Sequence, residues 1–588
     1  MNKYMKNRYI IALTAISLLA VSCNGFLDRY PKKELSSGTV FKSETTAESV
    51  VIGAYQQLRY GLGTQWATSL DCFSDVFDPD VDRVGTSYCL LNGSATSTVD
   101  MFNNIWKNYY EGINRANDVI NNFGDVPVDD AVKACRIAEA KFIRAFWYYR
   151  LNTLWRGVPV YLENLAPDQY TKPRSSEAEV WKVIVDDLTD CINCESLPDK
   201  YDAGSKDYGR ITKGAAYALR GKTYLWLKEW ALAEADFKKV AECGYSLYNG
   251  SYASLFKEAN ERCDEMIFSV QMIETSGYGN AFSYNYGNHC TAGTGQNAYT
   301  VSTRFVDSFQ WADGKPFNWD DVIPGYSNVP ATQRRAYFLR DGLTSSEKTA
   351  QGNLGANMSL YLDSGNEARI KAAYENRDPR LAATAITPYS EYIGGVTGTD
   401  VTYTYRYPLK SKNAPSLDVE TAVPSNFYYP IRKLVAEGTE AMFVTYNPTD
   451  IPIIRYADVL LNLAEALNEQ GKWSEAVDCV NLVRARAGVA TLNNGDAWNA
   501  VSSADDLRPR IRNERKWELA GEQVIYGDEL RWGTIIEDKY SDGNGLMHAW
   551  GETILPYSYG GNYYAVWPIP QSEIERNPAL EQNEGWIL

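Results

Sequence analysis

The sequence predicts an all-α protein in which antiparallel helix pairs stack side by side and carry a large, irregular, loop-rich second lobe. Two distant segments share one helical pattern with identical offsets, and five further segments show helical periodicity. Across residues 246–450 this periodicity gives way to short Tyr- and Thr-rich runs separated by Gly, Asn and Pro. At 588 residues the chain is long enough for two closely packed domains.

The repeated offset is the most specific of these observations. In both segments, small and large residues follow a first small residue after 3, 12, 16 and 19 positions. The positions are Gly221, Tyr224, Ala233, Phe237 and Val240 in the first segment, and Ala464, Leu467, Ala476, Val480 and Val483 in the second. The spacing matches the tetratricopeptide pattern, in which small residues let two helices approach and larger ones fill the gap. Because one pair cannot bury its faces alone, further helices must stack beside it.

Five other segments are candidates for that stack, because apolar residues recur on one face of each predicted helix. They cover residues 47–60, 101–122, 129–153, 178–194 and 505–521. Ser502 and Ser503 precede the last of them as its expected N-terminal cap. Loops held on a rigid scaffold are the usual place for binding residues. We therefore expect ligand contacts in the irregular regions.

The N-terminus predicts export and lipid anchoring. Lys3, Lys6 and Arg8 precede an uncharged apolar run from Ile10 to Val21, which is the layout of a signal peptide. That run is too short to cross a bilayer, which takes about 20 residues. Residues 19–23, Leu-Ala-Val-Ser-Cys, resemble the lipobox of bacterial lipoproteins, which implies cleavage after residue 22 and lipidation of Cys23. The alternative is a plain secretory peptide with an incidental cysteine.

Composition narrows the class of ligand. The net charge is −16, and removal of residues 1–22 with their three basic side chains would make it −19. Such a chain is a poor candidate for binding nucleic acid or an anionic membrane surface. Nine irregularly spaced cysteines besides Cys23 do not form a disulfide pattern, and with two histidines a zinc site is not expected. We find no motif for a cofactor or a catalytic centre.

Several short motifs follow one another in a specific order. In chain order, they are residues 26–31 (FLDRYP), 149–159 (YRLNTLWRGVP), 209–215 (GRITKGA), 455–466 (RYADVLLNLAEA), 481–488 (NLVRARAG), 514–522 (ERKWELAGE), 528–533 (DELRWG) and 567–585, which opens with WPIP. Their order and spacing resemble the SusD/RagB nutrient-binding lipoproteins of Bacteroidetes. Trp155-Arg156 stand where the family usually has Tyr, and Glu584 stands where it usually has Pro.

This resemblance implies four tetratricopeptide-like helix pairs and an irregular lobe. The chain would divide into a signal peptide (1–22), an N-terminal helical region (23–245) and a second region (246–588) made of the loop-rich insertion (246–450) and the C-terminal repeat and motifs (451–588). It also implies a non-catalytic lipoprotein on the outer face of the outer membrane. Such proteins capture glycans or peptides and deliver them to a SusC-like TonB-dependent transporter.

Two stretches meet the chemical requirements of a glycan site. Sugar rings stack their C–H faces on flat aromatic rings, and their hydroxyls need paired donors and acceptors. The first stretch follows the opening helix and contains Trp66, Asp71 and Asp75. The second contains Tyr284, Tyr286, Asn288, Tyr299 and Trp319. The alternative for each aromatic residue is packing in the core or in a turn.

One carboxylate row could indicate a different function. Glu514, Glu518 and Glu522 share one face of a predicted helix, and paired carboxylates can hydrolyse glycosides. Arg512 and Arg515 lie close by in sequence, so we interpret the row as structural ion pairs. A surface hydrolase therefore stays the least favoured reading. A protein that binds peptides, or that only docks the transporter, is the main alternative.

Overall fold

Long antiparallel helices build one part of the structure, and short elements joined by loops build the rest. The computed structural model describes residues 37–63, 69–395, 399–410 and 417–586. Within these ranges, the helices of eight or more residues are α1 (Glu44–Leu62), α2 (Val81–Leu91), α3 (Asp100–Asn122), α4 (Asp130–Trp155), α5 (Glu177–Asn193), α6 (Lys213–Trp226), α7 (Trp230–Glu242), α8 (Ser345–Asn353), α9 (Tyr456–Glu469), α10 (Trp473–Ala487), α11 (Ala504–Leu519) and α12 (Ile525–Trp532).

The strands are few and short. They are β1 (Phe77–Pro79), β2 (Met266–Val270), β3 (Tyr299–Val301), β4 (Glu391–Gly394), β5 (Val401–Thr404), β6 (Tyr429–Pro430), β7 (Ile451–Arg455), β8 (Gly545–Met547) and β9 (Thr553–Pro556). They form a three-stranded sheet in the order β1–β3–β6 and the pairs β2–β7, β4–β5 and β8–β9. The short α-helices are Ser37–Val40, Tyr252–Leu255, Phe282–Tyr286, Thr303–Ser308, Trp319–Val322, Ala331–Arg334, Asn366–Lys371, Pro379–Thr384, Ile535–Lys539 and Gln571–Arg576.

The long helices stack in a continuous series. α1 packs on α3, α3 on α4, α4 on α5, α5 on α6, α6 on α7, α7 on α9, and α9 on both α10 and α11. This order contains four antiparallel pairs: α1–α3, α4–α5, α6–α7 and α9–α10. The predicted all-α architecture of tetratricopeptide-like pairs is therefore confirmed.

The repeated small residues lie where neighbouring helices approach most closely. A Cβ atom at Gly221 would lie 2.6 Å from Cε1 of Phe237, so a larger residue would push α6 away from α7. In the second unit, Ala464 and Val480 are fully or almost fully buried between α9 and α10. Their burial accounts for the matching offsets.

The loop-rich lobe is joined to the rest of the structure by strands from the segments before and after it in sequence. β3 pairs antiparallel with β1, so residues 77–79 from the N-terminal region join the lobe. β2 pairs with β7, which leads directly into α9. The partners in each of these sheets are far apart in sequence. Buried residues of the lobe and of the helical part belong to one continuous hydrophobic core. The predicted boundaries near residues 245 and 450 stay a prediction.

The carboxylate row on α11 is neutralised by buried arginines and a lysine. Glu514 pairs with Arg380 and Arg484, at 2.7 and 3.1 Å. Glu518 pairs with Arg455 at 3.1 Å and also with Arg380, at 3.3 Å, and with Arg486. Burial alone would raise the pKa of Glu518, but Arg486, Arg455 and Arg380 lower it to about 2. These ion pairs confirm that the row is structural. The partners are not the neighbouring arginines, however, because Arg515 pairs instead with Asp458 and Asp528.

Three further features concern the described ranges alone. No helix there is both long and apolar enough to cross a membrane. No group of His, Cys, Asp or Glu side chains there is arranged to hold a metal ion. The nine cysteines in those ranges are all free.

Candidate ligand-binding cleft

The end of α1 is tied to the loop-rich lobe. The Ser43 hydroxyl caps the start of α1 by accepting the Thr46 N–H at 3.4 Å, and the Gly63 N–H closes its last turn on the Arg59 carbonyl at 2.8 Å. The Gly63 carbonyl then accepts the Ala281 N–H at 2.9 Å. The two stretches that the sequence singles out are thus adjacent where α1 ends and the helix Phe282–Tyr286 begins.

A cleft of ≈ 500 Å³ lies beside this junction. It is formed by α1, the segment 206–210, β2 and residues 271–278, and we call it the tyrosine cleft. Its lining includes Tyr278, which is 52% exposed, together with Ile52 and Ile273. Tyr60, 41% exposed, contacts Arg59, which lines the cleft. Exposed aromatic and aliphatic side chains in a concave surface are typical of ligand sites.

Arg59 holds the two tyrosines in place. Its guanidinium carbon lies 4.9 Å from the ring centroid of Tyr60 and 4.7 Å from that of Tyr278, which is cation–π distance for both. The side chain is 5% exposed, and its Nη2 finds no acceptor within the described part of the chain. Gln56 donates from Nε2 to the Tyr60 hydroxyl at 3.4 Å. The rings are therefore ordered before any ligand arrives.

The opposite wall carries charges that are already paired. Arg210 bonds Glu139 at 2.8 Å and also Glu48, and a third carboxylate, Asp207, lies 3.3 Å away. Burial would lower the pKa of Arg210, but Glu139, Tyr55 and Glu48 raise it. Tyr55 donates to Glu139 at 2.9 Å. Arg136 also pairs with Glu48 and Glu139, so two guanidinium groups face three carboxylates.

A pair of acidic side chains supports the floor of the cleft. Gln271, which lines the tyrosine cleft, donates from Nε2 to Asp450. Asp450 also accepts the Met272 N–H at 2.7 Å, and Glu261 accepts the Asp450 N–H at 3.1 Å. Burial, followed by repulsion between the two acids, raises the pKa of Asp450 to about 8, and burial raises the pKa of Glu261 to about 7.

We expect this pair to make stability fall as pH rises. An acid whose pKa is higher in the folded than in the unfolded state stabilises the fold fully only below its unfolded pKa, here 3.8 for Asp450 and 4.5 for Glu261. The contribution is lost as pH rises through 7 and 8. The Asp450→Asn variant should therefore unfold at a higher urea concentration than wild type at pH 9, with a smaller difference at pH 6. An identical pH dependence in the two proteins would contradict this expectation.

The first stretch contributes structural contacts. Trp66 lies outside the described residues. Asp71 is fully buried and accepts three backbone N–H groups, from Gly521 at 2.8 Å, Gln523 at 3.0 Å and Ile525 at 3.3 Å. Asp75 accepts from Lys516 Nζ at 2.8 Å. Asp71 has no surface to offer a ligand, so the structure does not support the predicted contact there.

The second stretch is also mostly internal. Tyr286, Asn288 and Tyr299 are each at most 2% exposed. Tyr299 belongs to β3, and the Tyr286 ring packs against it and against Phe77 in β1. Because these three side chains are buried, the structure does not support them as ligand contacts. Half-buried Tyr284 packs against the small cluster around Ala441.

Trp319 is half-buried and lies in a separate aromatic cluster. Its ring stacks on Tyr326 at 4.6 Å, and its Nε1 donates to Asp307 at 3.1 Å. Burial raises the pKa of Asp307 to about 6. The proposed ligand role of Trp319 and Tyr284 stays a prediction.

Composition and spacing did not indicate Arg59, Tyr60 and Tyr278 as site residues, although the sequence of α1 contains one signal. The buried stripe of α1 contains Ala47, Val51, Ala54, Leu58 and Leu62. Ile52 and Tyr60 are eight residues apart, so they share a helix face that lies off this stripe. Large apolar side chains on the outer face of an amphipathic helix indicate a contact surface.

Comparison with known proteins supports the resemblance noted above. A family model described as the SusD family matches residues 264–586, which is more than half of the chain. A second, described as starch-binding associating with outer membrane, matches residues 25–225. A SusD-like protein of Formosa agariphila is 25% identical over 609 residues and 99% of each chain. The starch-binding protein SusD of Bacteroides thetaiotaomicron is 23% identical over 476 residues, 78% of this chain and 74% of its own.

Solved structures show the same fold. A SusD-like protein of Bacteroides fragilis superposes with a TM-score of 0.71 at 23% identity, covering 95% of this chain and 100% of its own. A laminarin-binding SusD-like protein superposes with a TM-score of 0.60 at 22% identity, covering 93% and 100%. Taken with the match over more than half of its length, these similarities show that the chain belongs to the SusD family.

Proposed function

We propose that this protein is a non-catalytic surface lipoprotein that binds neutral glycans in the tyrosine cleft and delivers them to a SusC-like TonB-dependent transporter. The observation that carries the proposal is exposed Tyr278 in the cleft, in contact with buried Arg59, which also contacts exposed Tyr60. Membership of the SusD family and the starch- and laminarin-binding relatives support the ligand class. Starch and laminarin are uncharged polymers, and the acidic composition of this chain also disfavours polyanions.

The cleft supplies both kinds of contact that a sugar needs. The exposed face of Tyr278 can stack on the C–H face of a pyranose ring, and Gln56 and Gln271 offer amide donors and acceptors to its hydroxyls. Its volume of ≈ 500 Å³ is in the range of small-molecule sites, which is about 300–1,000 Å³.

Location and delivery complete the proposal. The signal peptide and the lipobox-like residues before Cys23 support a lipid anchor in the outer membrane. The description of the N-terminal family model, which refers to association with the outer membrane, agrees with this. An anchored protein stays close to a transporter in the same membrane, so captured glycan is released where it can be imported.

Removing the exposed ring should weaken glycan binding. In calorimetry against neutral polysaccharides, including amylose and laminarin, we expect Tyr278→Ala to bind the recognised polymer about five- to thirtyfold more weakly, because a stacked ring contributes about 1–2 kcal/mol. Tyr278→Phe should bind nearly as well as wild type, because it keeps the ring.

Tyr217→Ala is the matched control. Tyr217 lies on α6 near Arg220, at 5.8 Å, in a similar tyrosine–arginine contact outside the cleft. Its loss should leave affinity unchanged. Failure of the wild-type protein to bind any neutral polysaccharide, with tight binding of peptides instead, would reject the glycan proposal.

A further inference from the structure

A second large cavity lies in the loop-rich lobe. It has a volume of ≈ 590 Å³ and shares no lining residue with the tyrosine cleft. Its walls come from the helices Tyr252–Leu255 and Pro379–Thr384, from β4, and from the segment 432–440. We call it the Phe256 pocket, after the aromatic side chain in its lining.

The Phe256 ring is fixed by the groups around it. Tyr252 meets it edge-on, with ring centroids 5.2 Å apart and an interplanar angle of 79°. The buried Nζ of Lys433 lies 4.6 Å from the Phe256 centroid, and Arg455 Cζ lies 5.3 Å from it. Phe256 is half-buried and lines the cavity. It therefore supplies an aromatic ring to the wall of the pocket.

The small side chains around this platform leave room above it. Ala253, Ala382 and Ala383 line the pocket, and Pro379 closes the same side. Ala253 and Ala382 are exposed. A flat ring bordered by alanines can accept another flat, partly apolar surface of similar width.

The charges around the pocket balance one another. Arg432 makes a two-point contact with Glu437, at 2.8 and 3.2 Å. Lys257 pairs with Glu440 at 2.9 Å. Lys433 donates to Glu522 at 2.6 Å, and burial lowers its pKa to about 8.

A fourth acid, Asp400, accepts the Thr439 N–H at 2.7 Å. No lining cation is therefore left to attract an anion, whereas the paired groups keep further donor and acceptor sites for hydroxyls. The ligand that fits is uncharged, rich in hydroxyl groups and flat on one side.

We propose that the Phe256 pocket is a second saccharide site, in which a neutral sugar ring stacks on Phe256 and its hydroxyls bond the Arg432–Glu437 pair. This inference takes its ligand class, a neutral glycan, from the proposed function. It adds a second place at which the same polymer contacts the protein. Two sites on one chain raise the avidity for a polymer above that for a short oligosaccharide. A trisaccharide is short enough to occupy one site at a time, so its binding measures the affinity of each site separately.

Two substitutions test the pocket without touching the tyrosine cleft. Ala382→Trp places a large ring in the pocket from an exposed helical position, and Phe256→Leu removes the aromatic platform but keeps an apolar side chain. Ala241→Trp is the matched control, because Ala241 is an exposed alanine on α7 away from both cavities. Thermal unfolding of each variant checks that the fold is retained.

The measurement is calorimetry on the full chain with neutral trisaccharides, namely maltotriose, laminaritriose, cellotriose, mannotriose and xylotriose, at millimolar concentration. We expect two trisaccharides per chain for wild type and for Ala241→Trp. One should remain in Ala382→Trp, with the affinity of the second site at least about tenfold lower in Phe256→Leu. Tyr278→Ala should retain the binding event that Ala382→Trp loses.

The outcomes separate this inference from the proposed function. One bound trisaccharide in wild type, lost in Tyr278→Ala and unchanged in Ala382→Trp, would overturn the second site and leave the tyrosine cleft intact. If Ala382→Trp lost all binding and Tyr278→Ala bound like wild type, the result would support the Phe256 pocket and reject the tyrosine cleft. No binding of any trisaccharide by wild type would overturn this proposal.

Discussion

Replacing Arg455 with methionine should lower the free energy of unfolding by about 3–5 kcal/mol, the usual cost of leaving buried charges without a partner. The Arg455 side chain is fully buried at the end of β7. It makes a two-point contact with Glu522, both bonds at 2.7 Å, and further contacts with Glu518 and Glu265. These acids come from the lobe and from the end of α11, so one guanidinium joins both parts of the molecule.

Arg508→Met is the matched control for this substitution. Arg508 pairs with Glu469 at 2.6 Å, but both side chains are partly exposed, at 33% and 22%. Exposed pairs contribute about 0–1 kcal/mol, so this variant should stay close to wild type. Urea unfolding at neutral pH measures both, with an unchanged m-value as the condition for comparing them. Equal, small losses in the two variants would show that the buried network does not hold the lobe to the helices.

Replacing Asp71 with alanine should cost about 3 kcal/mol or more, because three buried N–H groups would each lose their acceptor at about 1–3 kcal/mol. These groups belong to the turn between α11 and α12, in which Gly521 and Gln523 have positive φ angles of 88° and 60°. A left-handed conformation at Gln523 is strained, and the bond to Asp71 stabilises it. Asp71→Asn should lose less, since its amide oxygen can keep part of the network.

Asp186→Ala provides the comparison for Asp71. Asp186 is 59% exposed and pairs with Lys182 on the surface of α5, so its loss should change stability by less than about 0.5 kcal/mol. Glycan affinity distinguishes a structural from a ligand-binding role. If Asp71→Asn unfolded like wild type but lost glycan binding, Asp71 would contact the ligand, as the sequence analysis expected, and the buried arrangement would have to open.

The helical part was predictable because its signals are local. The offsets from Gly221 and from Ala464 encode two helix pairs directly, since helix contacts recur every three or four residues. The predicted helix at 101–122 is observed at Asp100–Asn122. The lobe shows no such periodicity, and two of its strands pair with distant segments, β3 with β1 and β2 with β7.

Composition did not locate the tyrosine cleft. It singled out residues 66–75 and 284–319, whereas the cleft is lined by α1, the segment 206–210, β2 and residues 271–278. Composition could not tell Tyr278, which is exposed, from Tyr286, which is buried, since both lie among Gly and Asn. Whether a tyrosine side chain is exposed depends on the residues that pack around it in the folded chain.

By itself the sequence indicated the helix pairs and the family, and it predicts an export signal, because all three depend on the identity and spacing of residues close together in the chain. The tertiary structure alone decided that α11 carries a neutralised charge network, that Asp71 holds a turn, and that two cavities with aromatic linings are open. Those outcomes depend on burial and on long-range partners such as Arg455 and Glu265, 190 positions apart. Burial sets both the strength of a charge pair and the accessibility of a ring, and only the folded chain fixes it.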